Sequence, residues 1–194
     1  SLAAELAALK QQTVGLQQEL TQAREVALSS ETRNQALEQE LGAVVAPRAL
    51  FFTRLREALG PDNGVLVEDD RLVFPPDVTF ASASAKLTPA ARTRVLEIGR
   101  AVAAAGAALP DDLNWVIRID GHTDRSTVGH RVFDSNRELA AERAVEVVQL
   151  LAKAGVPPDR LAAASFGEFR PLDPGDTAEA YKRNRRIELV LDEG

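Results

Sequence analysis

The chain has 194 residues, a formal net charge of -6 and no cysteine. That composition excludes disulfides and thiolate metal sites, and with no dominant basic face it argues against a nucleic-acid partner. Apolar content is ordinary for a globular protein, so a real core can form. No apolar run approaches the ~20 residues of a membrane helix, and no signal peptide is visible. The chain nevertheless begins at Ser1 inside a helical repeat, which reads as the soluble part of something longer.

Residues 1–45 carry a heptad pattern. Steps of four and three run Leu2, Leu6, Leu9, Thr13, Leu16, Leu20, Ala23, Ala27, Ser30, Asn34, Leu37, Leu41 and Val44, ten of the thirteen being apolar. Asn34 falls at an a position, where a buried polar residue sets register in a parallel dimer. The flanking charges agree: Glu5 meets Lys10 of a second copy, Glu19 meets Arg24, and Arg33 meets Glu38. The pattern predicts a parallel coiled-coil homodimer through residues 1–45, with a weak seam between Ala23 and Asn34. A single amphipathic helix lying on another protein is the competing reading.

Pro47 is expected to end or bend that helix. Residues 46–64 read as a helical linker: Ala49 to Leu59 is helical in pattern, with Phe51, Phe52, Leu55 and Leu59 available to pack, and Gly60-Pro61-Asp62-Asn63-Gly64 is a turn. Residues 65–194 read as one domain. Val65 to Val67 and Leu72 to Phe74 form a candidate hairpin around Glu68-Asp69-Asp70-Arg71. Phe80 to Leu87 is a loop of small residues ahead of Thr88-Pro89, a helix cap followed by proline at the first helical position, and that helix stops near Gly106. Trp115, Ile117 and Ile119 alternate with Val116, Arg118 and Asp120 as in a half-buried strand. Ser135 and Glu138 have capping-box spacing, which starts a second helix that Gly155-Val156-Pro157 terminates. Leu161 to Phe166 and Ile187 to Leu191 supply the last strands. Strands alternating with helices make an α/β (α+β) sandwich: a mixed sheet with helices on one face.

The stretch from Asp120 to Leu151 holds the candidate site. Asp124 stands at a strand end, and Asn136 and Arg143, seven residues apart, share one stripe of the second helix. An acid, an amide and a guanidinium on a rigid scaffold outline a recognition site; on residue types alone, Asp124 and Arg143 could equally be a structural salt bridge. His122 reads as a loop-orienting or core histidine and His130 as solvated. Two histidines and no cysteine argue against a zinc hydrolase. No cofactor is expected.

These residues resemble the peptidoglycan-binding domain shared by OmpA, Pal and MotB, with a layout most like MotB. The resemblance rests on Gly121-His122-Thr123-Asp124; on Asn136, Leu139-Ala140, Arg143-Ala144, Val147 and Leu151; on Phe80 to Leu87; on Phe166-Gly167-Glu168 with Pro171; and on Asn184-Arg185-Arg186-Ile187-Glu188. It covers roughly residues 72–192, about one domain. It implies a stem-peptide ligand whose recognised group is the zwitterionic end of meso-diaminopimelate. Asp124 would take the ammonium, Arg143 the carboxylate and Asn136 a polar wall. Thr123 and Leu139 flank them, and Phe80 to Ser84 with Arg185 and Arg186 line the rim. The implied protein is a non-catalytic, periplasmic wall anchor of a MotB-like inner-membrane motor or channel complex, joined to a membrane partner through a segment outside this chain. A static OmpA- or Pal-like tether is the alternative. A peptidoglycan hydrolase stands last, because Asp124, Glu168 and Glu188 show no paired spacing and no nucleophile-base set is visible. Three positions depart from the pattern: Ala140 stands for a usual serine, and Ala83 and Ser165 for common glycines. The loop from Arg125 to Ser135 is also longer than in compact members and could cover the pocket.

Overall fold

The computed structural model describes residues 1–60, 66–68, 71–74, 80, 84–126 and 132–193. Helix α1 is Leu2–Leu59, α2 Pro89–Gly106, α3 Asn136–Lys153 and α4 Ala178–Asn184; strands β1 to β5 are Leu66–Glu68, Arg71–Val73, Trp115–His122, Leu161–Gly167 and Ile187–Glu193. The expected turn at 61–64, the centre of the hairpin turn, Ala83 and His130 lie outside the described residues.

The chain divides into two compact units, Ser1–Ala46 and Pro47–Gly194. In the first, Leu2, Leu6, Leu9, Leu16, Leu20, Leu37 and Leu41 of the heptad pattern are each more than half exposed. Of the two outcomes expected at Pro47, an end or a bend, the structure excludes the end: Pro47 sits inside α1. Proline removes one backbone donor, and the turns on either side keep theirs.

The linker reading of residues 46–64 needs a correction where the residues are described. Phe51, Phe52 and Leu55 are at most 2% exposed and belong to the core of the second unit. The aromatic pair packs edge to face with centroids 5.1 Å apart. Around them gather Val95, Ile98 and Val102 of α2 and Ala144, Val147 and Leu151 of α3.

The sheet has the order β1-β2-β5-β3-β4. Among the described strands β3 and β4 alone pair in parallel; β3 with β5, β5 with β2 and β2 with β1 are antiparallel. The hairpin strands therefore exist, one residue displaced from their predicted bounds. Period-2 alternation sorts the two faces. Ile117↔Leu191 and Ile119↔Leu189 pair on the buried face against the helices, while Arg118↔Val190 and Asp120↔Glu188 pair on the other. The mixed sheet with helices on one face is as the sequence predicts.

Helix α3 starts where the capping pattern puts it. Ser135 Oγ accepts from the Glu138 N–H at 3.1 Å, and Glu138 reaches back to the N–H of Asp134 at 2.6 Å, one residue before the cap. Helix α4 was not foreseen; Thr177 caps it by accepting from Ala180 N–H at 3.1 Å.

If residues 47–59 are core, Leu55→Ala lowers stability to urea by about 2–5 kcal/mol. A change under about 0.5 kcal/mol, as for a surface linker residue, would contradict this packing.

Candidate ligand-binding site

The site is assembled at the C-terminal end of β3. A Cβ built on Gly121 would stand 2.2 Å from the Ala140 carbonyl oxygen, so only glycine lets α3 rest this closely on the strand. At the neighbouring end of β4, Gly167 has φ +54° and faces the backbone of Arg137. Two hydrogen bonds continue the sheet past the strand ends: His122 N–H to Arg186 O at 3.0 Å and Thr123 N–H to Gly167 O at 2.9 Å. Asp124 is thereby delivered to the first turns of α3.

Asp124 is 4% exposed. Its Oδ2 accepts from Arg185 Nη1 at 2.6 Å, and its Oδ1 accepts from the Ser126 N–H at 2.8 Å and from the Ser126 hydroxyl. Burial alone would raise its pKa, but the bonds from Ser126 and Arg185 outweigh it and hold the carboxyl below the usual aspartate range. The ion pair of this acid is thus with Arg185, and not with Arg143 as the structural alternative from sequence supposed.

Arg143 is 8% exposed. Its Nε donates to Ser84 O at 3.1 Å and its guanidinium lies 4.8 Å over the Phe80 ring. Its two terminal nitrogens donate to no described residue. Burial, then repulsion from Arg185, lowers its pKa to about 10, with Asp124 opposing; it stays charged at neutral pH. One carboxylate therefore faces two guanidiniums, one bonded to it and one whose terminal edge meets no acceptor among the described residues. Such an edge suits a carboxylate held through two parallel N–H bonds.

The remaining predicted residues divide. Asn136 spends its amide on the loop, donating to Ser126 O at 3.0 Å and to Asp124 O at 3.4 Å, so it clamps the loop bearing the acid. Thr123 is buried, its hydroxyl without a partner among the described residues, and Leu139 is buried. Ser84 offers its carbonyl to Arg143 and its hydroxyl to Lys86 N–H. Arg185 joins Asp124; Arg186, one residue on, turns to the opposite face and pairs with Glu188 at 2.5 Å. His122 is buried and lines a separate cavity with Arg186. Ser126 was not singled out from sequence, although an aspartate two residues before a backbone donor has the spacing of an Asx turn. Of the long loop, the described Arg125 donates to Pro174 O at 2.8 Å and ion-pairs with Asp176.

A mixed five-stranded sheet backed by helices makes this a domain of the OmpA type. Residues 79–185, more than half of the chain, match the OmpA family, and the chain belongs to it. It is 37% identical over 75 residues to Motility protein B of Helicobacter pylori, covering 39% of this chain and 29% of that protein. The chain thus spans under a third of that relative's length. A solved structure of a putative MotB like protein from Desulfovibrio vulgaris matches with a TM-score of 0.65 and 28% identity, over 78% of this chain and 98% of that one. The cell wall anchor of the T6SS from Pseudomonas aeruginosa matches with a TM-score of 0.59 and 30% identity, over 73% and 98% of the two chains. The fold and domain are those of MotB-like proteins. Among the described residues no helix is long and apolar enough to cross a membrane.

The Arg185 bond sets a titration test. Because Asp124 titrates below its unfolded value, its contribution to stability is present above that value and lost as pH falls through the folded one. Arg185→Ala raises the Asp124 pKa, read from its side-chain carboxyl carbon by NMR, and makes acid destabilisation shallower. An unmoved Asp124 titration would show that Ser126 alone holds the charge.

Proposed function

We propose that this domain binds peptidoglycan without catalysis, by holding the zwitterionic end of a diaminopimelate stem peptide between Asp124 and Arg143. The observation that carries the proposal is the buried Arg143 guanidinium, whose terminal nitrogens donate to no described residue, beside an acid whose lowered pKa keeps it ionised. Asp124 accepts the ligand ammonium in company with Arg185, and Arg143 takes the carboxylate. Phe80 and Ser84 steady Arg143 from behind, Asn136 fixes the loop, Thr123 and Leu139 form the floor, and Arg185 sits at the rim. An acid held below its ordinary pKa is the reverse of what a general acid requires, which supports binding over hydrolysis.

The chain acts as a periplasmic wall anchor. The likeness to Motility protein B supports anchoring of a motor- or channel-like inner-membrane complex, with the membrane partner engaged through a segment outside this chain. The likeness to a cell wall anchor supports the second reading, a static tether in the manner of OmpA or Pal. Under either reading, residues 1–45 bring two copies together: the exposed leucines of the heptad pattern are what a parallel coiled coil would cover.

Co-sedimentation with purified diaminopimelate-type sacculi tests the site. Asp124→Ala and Arg143→Ala each weaken pelleting roughly ten- to a hundredfold, the loss of one charge-assisted contact, with circular dichroism unchanged. Retained pelleting by both variants overturns the assignment, and release of soluble fragments from the sacculi overturns the non-catalytic reading. Sedimentation equilibrium tests the dimer: the full chain has a dimer mass that falls when residues 1–45 are removed, and a monomeric full chain contradicts it.

A further inference from the structure

The face of the sheet opposite α2 and α3 carries a second polar cavity, of about 370 Å³, which Arg48 of α1 also lines. Its walls follow from the alternation of β3 and β5, which turns Arg118, Asp120, Glu188 and Asp192 to this side. Asp120 and Glu188 stand directly across from each other, an arrangement that repels unless cations intervene. They do: Arg118 grips Asp120 through two bonds of 2.7 and 3.0 Å and also reaches Asp192, while Arg186 and Arg71 hold Glu188. All three carboxylates of the lining are therefore occupied.

Two further lining groups are not. Arg170 pairs with no carboxylate among the described residues; its guanidinium lies 4.1 Å over the Phe166 ring. His122, 3% exposed, stacks on the same ring with centroids 5.3 Å apart, and neither ring nitrogen has a hydrogen-bond partner among the described residues. Its nearest acid, Glu188 Oε1, is 3.9 Å from Nε2, too far to accept. Burial first, and then the positive charges of Arg186, Arg170 and Arg71 against the opposing Glu188, lowers its pKa to about 4. At neutral pH the ring thus offers one N–H and one bare nitrogen. A buried polar group left in this state calls for a partner.

We propose that this cavity is a second ligand site, which takes an oxyanion, a phosphate monoester or a carboxylate, borne on a group of monosaccharide size. Arg170 donates to the oxyanion and the His122 N–H donates to it from the cavity floor. The size follows from the volume, which is at the lower end of ligand pockets, and the polar walls suit a hydroxylated group. The bound anion adds negative charge against the Arg71, Arg118, Arg170 and Arg186 field, and so raises the titration point of His122.

The chain has only two histidines, so imidazole nitrogen resonances are assigned by one His130→Gln spectrum. The full chain is titrated with glucose 6-phosphate, glucuronate, inorganic phosphate and glucose while His122 is followed. Saturable shifts of the His122 nitrogens with glucose 6-phosphate, glucuronate or both, and none with glucose, are expected; which of the two acts assigns phosphate or carboxylate. Arg170→Gln weakens that response roughly tenfold, leaves sacculus pelleting intact, and Arg143→Ala leaves the response unchanged. Silence of His122 toward all four probes at millimolar concentration, or an undiminished response in Arg170→Gln, overturns the proposal. A response to inorganic phosphate equal to that of the sugars overturns the size of the ligand.

Discussion

The contact on which the rest of the domain depends is the one between Gly121 and the Ala140 carbonyl. Any Cβ at position 121 would collide with backbone that cannot step aside. Because the residue has none, α3 lies against the end of β3, and its inward stripe of Ala144, Val147 and Leu151 enters the core. The same approach carries Arg143 to the strand-end loop that holds Asp124. The site is a consequence of how closely one helix can rest on one strand, and the sheet bonds beyond His122 and Thr123 extend that rigidity to the acid itself.

Charge then decides what the arrangement can do. A guanidinium as buried as Arg143 is costly unless its donors and its face are used. The Ser84 carbonyl and the Phe80 ring use part of it, and the remaining edge meets no acceptor among the described residues. Arg185 raises the cost further by repulsion while it stabilises Asp124. The result is a local excess of positive charge that still contains one ionised acid, a combination complementary to a group carrying both an ammonium and a carboxylate. The proposed wall-anchoring role rests on that complementarity.

Much of this was legible in the sequence, for local reasons. Ser135 and Glu138 announced the start of α3, and Trp115, Ile117 and Ile119 announced the buried face of β3, because capping and alternation are encoded by near neighbours. Phe51, Phe52 and Leu55 were recognisable as packing residues, but their core was not, since what an apolar stripe packs against is a tertiary matter. Pro47 does not end the helix, the first of its two expected outcomes, because one missing donor weighs little against two helical flanks. Helix α4 has only seven residues and too short an apolar pattern to stand out. Adjacent Arg185 and Arg186 looked alike in sequence; entering a strand, they point to opposite faces, one to Asp124 and the other to Glu188. Which arginine pairs with which acid is set by the fold and has no local signature.

The central claim is that Arg143 keeps an open edge for a second carboxylate while Asp124 receives an ammonium. Calorimetric titration of the full chain with two soluble stem peptides, identical except for meso-diaminopimelate or lysine at the third position, tests it most directly. The account predicts that the lysine peptide, which lacks the carboxylate for Arg143, binds weaker by a few kcal/mol, or on the order of a hundredfold. Equal affinity for the two peptides would contradict it.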